Sequence, residues 1–151
     1  METKEKNNQY FEGKLQLRNC KADILDFVAE QIEKEKGRIW IAKEVKSKVG
    51  IDLYLSSNKF LRKLGRLLKH KFECVIKESS KLHTETKDKK KLYRGTVLCK
   101  MPDFRVGDIG IFKGDEVEII SIGEKIILKN TKTGKKKTHK FDDVNKYFRI
   151  S

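Results

Sequence analysis

Three cysteines stand in 151 residues, and none forms a C-x-x-C pair. Cys20, Cys74 and Cys99 are odd in number and far apart, so neither a disulfide framework nor a zinc site is indicated. Each lies in or beside an apolar pattern and reads as a small buried thiol. His70, His83 and His139 are scattered among lysines, so no metal and no cofactor is expected. No apolar run approaches the roughly 20 residues that a membrane-spanning helix needs. The polar stretch Met1–Gln9 has no signal-peptide core. A soluble, cytoplasmic protein without a membrane partner is expected. Catalytic motifs are also missing: there is no G-x-S-x-G, no G-x-x-x-x-G-K-[ST], no G-x-G-x-x-G and no H-E-x-x-H. Gly107, Gly110 and Gly114 read as turns between short strands, and Glu44 and Asp52 as solvated or salt-bridged carboxylates. An enzyme is disfavoured.

Positive charge is what the chain has in excess. It holds 36 Lys and Arg against 22 Asp and Glu, a net charge of +14. Residues 102–151 contain 11 basic and 8 acidic residues, which leaves 25 and 14, a net of +11, for the first 101. The densest part is K-F-L-R-K-L-G-R-L-L-K-H-K, Lys59 to Lys71, with six Lys or Arg and no acid. Phe60, Leu61, Leu64, Leu67 and Leu68 recur along one helical face. Lys59, Arg62, Lys63, Arg66 and Lys69 fall mainly on the other, and Lys71 completes the set. A helix apolar on one side and purely cationic on the other docks on a core and offers its charge to a polyanion. The plain alternative is a solvated, thermophile-like surface.

Two further cationic spots are candidates for phosphate contact: the loop bearing Lys87, Lys89, Lys90 and Lys91, and the hairpin of Lys132, Lys135, Lys136 and Lys137 around Thr133-Gly134. Lysines also protect edge strands, so both readings of the hairpin stand. Tyr54 is the aromatic ring best placed to face outward, with partial core burial as the alternative. The aromatic signature of an RNA-recognition motif is absent, so recognition of RNA shape and phosphate is expected over stacking of single-stranded bases.

The segment 1–9 reads as a disordered lead-in. Phe11, Gly13, Leu15 and Leu17 alternate with polar residues as a strand. Asn19 is a plausible N-cap for a helix from about Lys21 to Lys36, stopped by Gly37. Strands over Arg38–Val45 and Ile51–Leu55 are joined by a turn at Lys46–Gly50. Ser56, Ser57 and Asn58 offer N-caps to the basic helix. Phe72, Cys74 and Ile76 alternate, Leu82–Lys91 is a polar loop, and Leu92–Lys100 is a strand. This order gives an α+β fold, a split βαβ-type α/β sandwich over 10–101 with helices on one sheet face and the other face free. After Pro102 no helical period appears. Short strands and spaced glycines predict a small β-barrel over 102–151.

G-I-D-L-Y-L-S-S-N-K (Gly50–Lys59), I-K-E-S-S-K-L-H (Ile76–His83), L-Y-R-G-T-V (Leu92–Val97) and M-P-D-F-R-V-G-D (Met101–Asp108) resemble consecutive blocks of the Nmd-three family. F-E-G-K-L-Q-L-R (Phe11–Arg18) resembles the block that opens the same region. This is the large-ribosomal-subunit export adaptor and assembly factor. The resemblance implies a first module similar to ribosomal protein twenty-two-e and a second similar to the SH3-like barrel of translation factor five-A. It also implies a non-enzymatic role in ribosome biogenesis. The expected partners are the large ribosomal subunit, its rRNA and ribosomal proteins near the L1 stalk. Family members have an N-terminal zinc module with paired cysteines. No such pairs occur here, so the resemblance is to an archaeal-type member lacking that module. The nucleic-acid-binding residues are chosen by charge geometry: Lys59, Arg62, Lys63, Arg66, Lys69, Lys71, Lys89, Lys90, Lys91, Lys132, Lys135, Lys136 and Lys137. A monomer is expected. The alternative function is a protein-interaction module for an acidic partner.

Overall fold

Alternating and helical spacings resolve into strands and helices in the computed structural model, which describes residues 9–85 and 91–151. The first compact unit comprises the described residues up to Phe72 together with Ile76–Lys100, and the second comprises Glu73–Val75 with Met101–Ser151.

In the first unit, β1 (Gly13–Arg18), β2 (Ile41–Ser47), β3 (Gly50–Leu55), β4 (Val75–Glu85) and β5 (Lys91–Lys100) form one sheet in the order β2-β3-β1-β5-β4. β1 runs antiparallel to β3 and parallel to β5. Period-two alternation sends Leu15, Leu17, Leu53, Leu55, Val97 and Cys99 into the core. Helix α1 (Ala22–Glu33) contributes Ile24 and Val28, and helix α2 (Asn58–Phe72) contributes Phe60, Leu61, Leu64 and Leu68. The helices meet through Phe27 and Phe72, whose rings stand edge to face at 5.4 Å. The opposite sheet face bears half-buried Lys14, Gln16, Arg18, Asp52 and Tyr54. Gly13 lets α2 approach closely, since a Cβ there would lie 2.5 Å from Asn58 Oδ1 and Leu61 Cδ2.

The second unit is a small barrel-like antiparallel sheet of β6 (Ile109–Phe112), β7 (Asp115–Ile122), β8 (Lys125–Asn130), β9 (Lys136–Lys140) and β10 (Arg149–Ile150), ordered β10-β6-β7-β8-β9. Phe104, Phe112, Val117, Ile119, Ile126, Leu128, Phe141, Val144 and Phe148 fill its core. The fold is therefore α+β with a barrel-like second part, as the periodicities predict.

Local expectations are corrected at several places. Gly110 lies within β6 and not in a turn, and the strand expected over Arg38–Val45 runs from Ile41 to Ser47. Asn19 does not cap α1: it takes a left-handed φ of 59° to turn the chain out of β1, and Lys21 is the N-cap. That helix ends at Glu33, and the left-handed pair Lys36 and Gly37 belongs to the turns that follow. Phe72 ends α2 instead of starting a strand, because its ring is needed against Phe27. Much of the expected polar loop is strand: β4 reaches Glu85, and as an edge strand with exposed Lys77, Glu78, Ser79 and Ser80 it shows no apolar alternation. The second unit does contain a helix, α3 (Phe141–Tyr147), too short at seven residues to show a period. Cys74 and Cys99 are buried thiols, whereas Cys20 is half-buried. The expected lead-in, apart from Gln9, and the loop lysines Lys87, Lys89 and Lys90 lie outside the described residues.

Candidate nucleic-acid interface

Helix α2 starts where Ser57 Oγ accepts the Phe60 amide at 3.1 Å, a cap of the kind that contributes about 1 kcal/mol. Asn58 performs a different task. Its side chain donates to Tyr93 O at 2.9 Å and accepts from Gly95 N at 3.0 Å, pinning the helix start to β5. Its own amide donates to Glu12 Oε1 at 2.8 Å. Gly65 then brings the helix down on Val97, where a Cβ would stand 3.2 Å from Cγ1.

This seating leaves the cations outside. Lys59, Arg62, Lys63, Arg66, Lys69, His70 and Lys71 are all exposed, while Phe60, Leu61, Leu64, Gly65 and Leu68 are buried. Lys59, Arg62, Lys63, Arg66 and Lys69 succeed one another at three- and four-residue spacing and form one stripe. Over ten residues it extends about 15 Å. Among the described residues, one ion pair reaches the stripe: Lys63 Nζ lies 3.8 Å from Glu35 Oε2. Lys63 is exposed and Glu35 half-buried, and such a contact at the surface contributes about 1 kcal/mol or less. The Lys71 ammonium stands 4.8 Å from the Phe27 ring centroid and turns partly along the helix-helix seam.

The stripe is unfavourable to its own helix. No acidic residue occupies the first turn, so Lys59 opposes the helix dipole by about 0.3–1 kcal/mol. Like charges at three- and four-residue spacing add about 0.2–0.5 kcal/mol of repulsion per pair. Lys69, His70 and Lys71 are the exception, since the last turn favours cations. The stability of the helix alone does not account for such a row.

The second cationic group is the β8–β9 hairpin. Asn130 Oδ1 accepts the amides of Lys132 and Thr133 at 2.9 and 3.0 Å, and Gly134 N bonds Asn130 O at 2.8 Å, so the tip is firmly built. Lys132, Lys135, Lys136 and Lys137 are all exposed. Lys136 stands opposite Lys129, and Lys125 opposite Lys140, so two like-charge pairs face each other across the strands. Lys135 and Lys137 instead border a cleft of about 360 Å³, together with Lys113, Asp115, Phe112 and His139. The Phe112 and His139 rings meet at 4.8 Å. Lys91 opens β5, and Lys89 and Lys90 lie outside the described residues.

Sequence reasoning missed Lys113, Lys125, Lys129 and Lys140 around the hairpin. It also missed Lys14, Lys43 and Arg94 on the helix-free sheet face. None of them stands next to another Lys or Arg in the sequence, and folding gathers them. Glu44 pairs with Lys46 at 3.6 Å and Asp52 with Arg18 at 2.9 Å, so the two carboxylates serve separate cations. Among the described residues, no group of three His, Cys, Asp or Glu could hold a metal ion, and no helix is long and apolar enough to cross a membrane.

Residues 10–101, more than half of the chain, match the family model for the second domain of NMD3. A comparison with curated proteins gave no match.

Proposed function

The chain belongs to the NMD3 family, a non-enzymatic family of ribosome biogenesis, and we propose that it binds the large ribosomal subunit in the cytoplasm through the α2 stripe. The observation behind this reading is a row of exposed cations on a well-anchored helix with one weak internal ion pair. An rRNA surface supplies a dense phosphate array able to neutralise it. The β8–β9 hairpin is a second contact, suited to a groove because its lysines crown a firm tip. Ribosomal proteins beside the bound rRNA, near the L1 stalk, complete the partner set. The chain binds as a monomer and is an archaeal-type member of the family.

The test is co-sedimentation with purified large subunits across a salt series. About five stripe contacts predict a slope of log K against log salt near −4, at roughly −0.7 to −0.9 per contact. Arg62→Glu/Lys63→Glu/Arg66→Glu is expected to abolish co-sedimentation while the circular dichroism spectrum stays that of wild type. Undiminished binding refutes the role of the helix. A complex that survives nuclease digestion of the rRNA indicates an acidic protein partner instead.

A further inference from the structure

The helix-free face of the first sheet holds a group of cations assembled by strand register. Tyr54 of β3 stands directly opposite Lys14 of β1 on one side and Lys43 of β2 on the other. Their ammonium groups lie 5.7 and 5.1 Å from the Tyr54 ring centroid. Phe11 meets the same ring edge to face at 4.9 Å, and the Arg94 guanidinium lies 4.0 Å from the Phe11 centroid. Three cations and two rings therefore form one continuous row.

The neighbouring carboxylates are already engaged. Glu12 Oε2 accepts the Tyr10 hydroxyl at 2.7 Å, and its Oε1 accepts the Asn58 amide at 2.8 Å. Asp52 holds Arg18 at 2.9 Å. Among the described residues Lys14, Lys43 and Arg94 have no carboxylate within ion-pair distance. The rings attract each ammonium by about 0.5–1 kcal/mol. They fix where the charges stand without neutralising them, and two lysines held to one ring repel each other.

We propose that this face binds a single-stranded segment of RNA, with Lys14 and Lys43 on backbone phosphates and the Arg94 guanidinium plane under a base. The inference rests on the reading of the chain as an rRNA-binding protein and adds a second, chemically different contact to it. Among the described residues the α2 stripe has no aromatic partner along its length, and it suits phosphates of folded RNA. The sheet face pairs cations with planar groups, the combination that grips unpaired nucleotides. A guanidinium already held 4.0 Å from the Phe11 ring centroid loses little freedom when a base is added. This departs from the sequence-based expectation of shape and phosphate recognition without base stacking, because strand register supplies what a linear motif would have shown.

The experiment titrates the full chain into a short fluorescein-labelled oligouridylate and follows fluorescence polarisation across a salt series. The variants are Lys14→Gln/Lys43→Gln and Arg94→Lys, with Arg62→Glu/Lys63→Glu/Arg66→Glu in parallel. Loss of two phosphate contacts at about −0.7 each lowers the salt slope by about 1.4 and weakens binding about 25-fold at about 0.1 M salt. Arg94→Lys keeps the charge and loses the plane. It is expected to weaken binding about tenfold with the slope unchanged, within the range of one base–aromatic stack. The α2 variant is expected to retain more oligouridylate affinity than the Lys14/Lys43 variant while losing subunit co-sedimentation, so the two surfaces fail separately. Wild-type affinity in the Lys14/Lys43 or the Arg94 variant overturns the proposal. Competition by poly-glutamate as effective as that by oligouridylate also overturns it, and identifies the face as a surface for acidic protein segments.

Discussion

The charge reversal expected to remove subunit binding is also expected to make the free protein more stable. Along α2 the pairs Lys59–Arg62, Lys59–Lys63, Arg62–Arg66, Lys63–Arg66 and Arg66–Lys69 are like-charged neighbours at three- or four-residue spacing. In Arg62→Glu/Lys63→Glu/Arg66→Glu the first two and the last change from repulsion to attraction. At about 0.2–0.5 kcal/mol per pair and sign, each change gains about 0.4–1 kcal/mol. The middle two remain like-charged. Against this stands the 3.8 Å contact between exposed Lys63 and half-buried Glu35, which turns from attraction to repulsion and removes up to about 2 kcal/mol. The side chains replaced are exposed, so little packing is lost. The net is a gain of about 1 kcal/mol at low ionic strength.

Urea unfolding followed by circular dichroism measures it. With a slope of about 2 kcal/mol per molar, the midpoint rises by about 0.5 M. At about 1 M salt the screening length falls to roughly 3 Å and the gain largely disappears. A midpoint below that of wild type at low salt refutes the claim that the stripe is self-repelling. A difference that salt leaves unchanged refutes it equally, since the effect would then come from packing.

Three further outcomes are expected. Asn58→Ala removes the acceptor for Gly95 N and the donor to Tyr93 O, and should destabilise the first unit by about 1–3 kcal/mol in the same urea assay. Gly110→Ala places a Cβ against Arg149 O and 2.7 Å from Phe148 Cζ, and should broaden the amide resonances of the second unit while those of the first stay sharp. The hydrogen bond from the Tyr10 hydroxyl to Glu12, with burial, raises the Tyr10 phenol above its ordinary value of 10.0. The neutral form is the one favoured by folding, so its small contribution is present at neutral pH and is lost as pH rises through the raised value. Glu12→Gln should return the phenol toward the ordinary range in an alkaline absorbance titration.

What was legible in the sequence follows from how local each signal is. Helix α2 is an apolar stripe opposite a charged one, and its boundaries lie within one residue of those read from spacing. Strands β1, β3 and β5 each bury one face, so alternation marks them. Strand β4 sits at the sheet edge with little apolar demand, and α3 is too short to repeat. Asn19 failed as a cap signal because asparagine serves left-handed turns as well as helix starts, and here the turn prevails. The exposed α2 stripe and the hairpin tip could be found from runs of lysine and arginine. The Lys14–Tyr54–Lys43 alignment could not, since it depends on how three separated strands pair.

The distribution of carboxylates ties these observations together. Several of the acids support the frame: Glu12 holds Tyr10 and the start of α2, Asp52 holds Arg18, Glu116 holds Thr131 and Asp108 holds the Arg105 amide. Carboxylates so placed cannot also neutralise the outer bases. The bases repeat the opposite arrangement in both units: a stripe on α2, two lysines on one tyrosine, and the opposed pairs Lys129–Lys136 and Lys125–Lys140. Each is mildly destabilising alone, and each is relieved by the same agent, a surface dense in negative charge. A chain that only needed solubility would intersperse charges of both signs. Among the described residues, exposed acids such as Asp23, Glu30 and Glu124 make no ion pair with these rows, so the bases of α2 and of the β8–β9 hairpin keep the like-charged neighbours that the proposed rRNA contact would relieve.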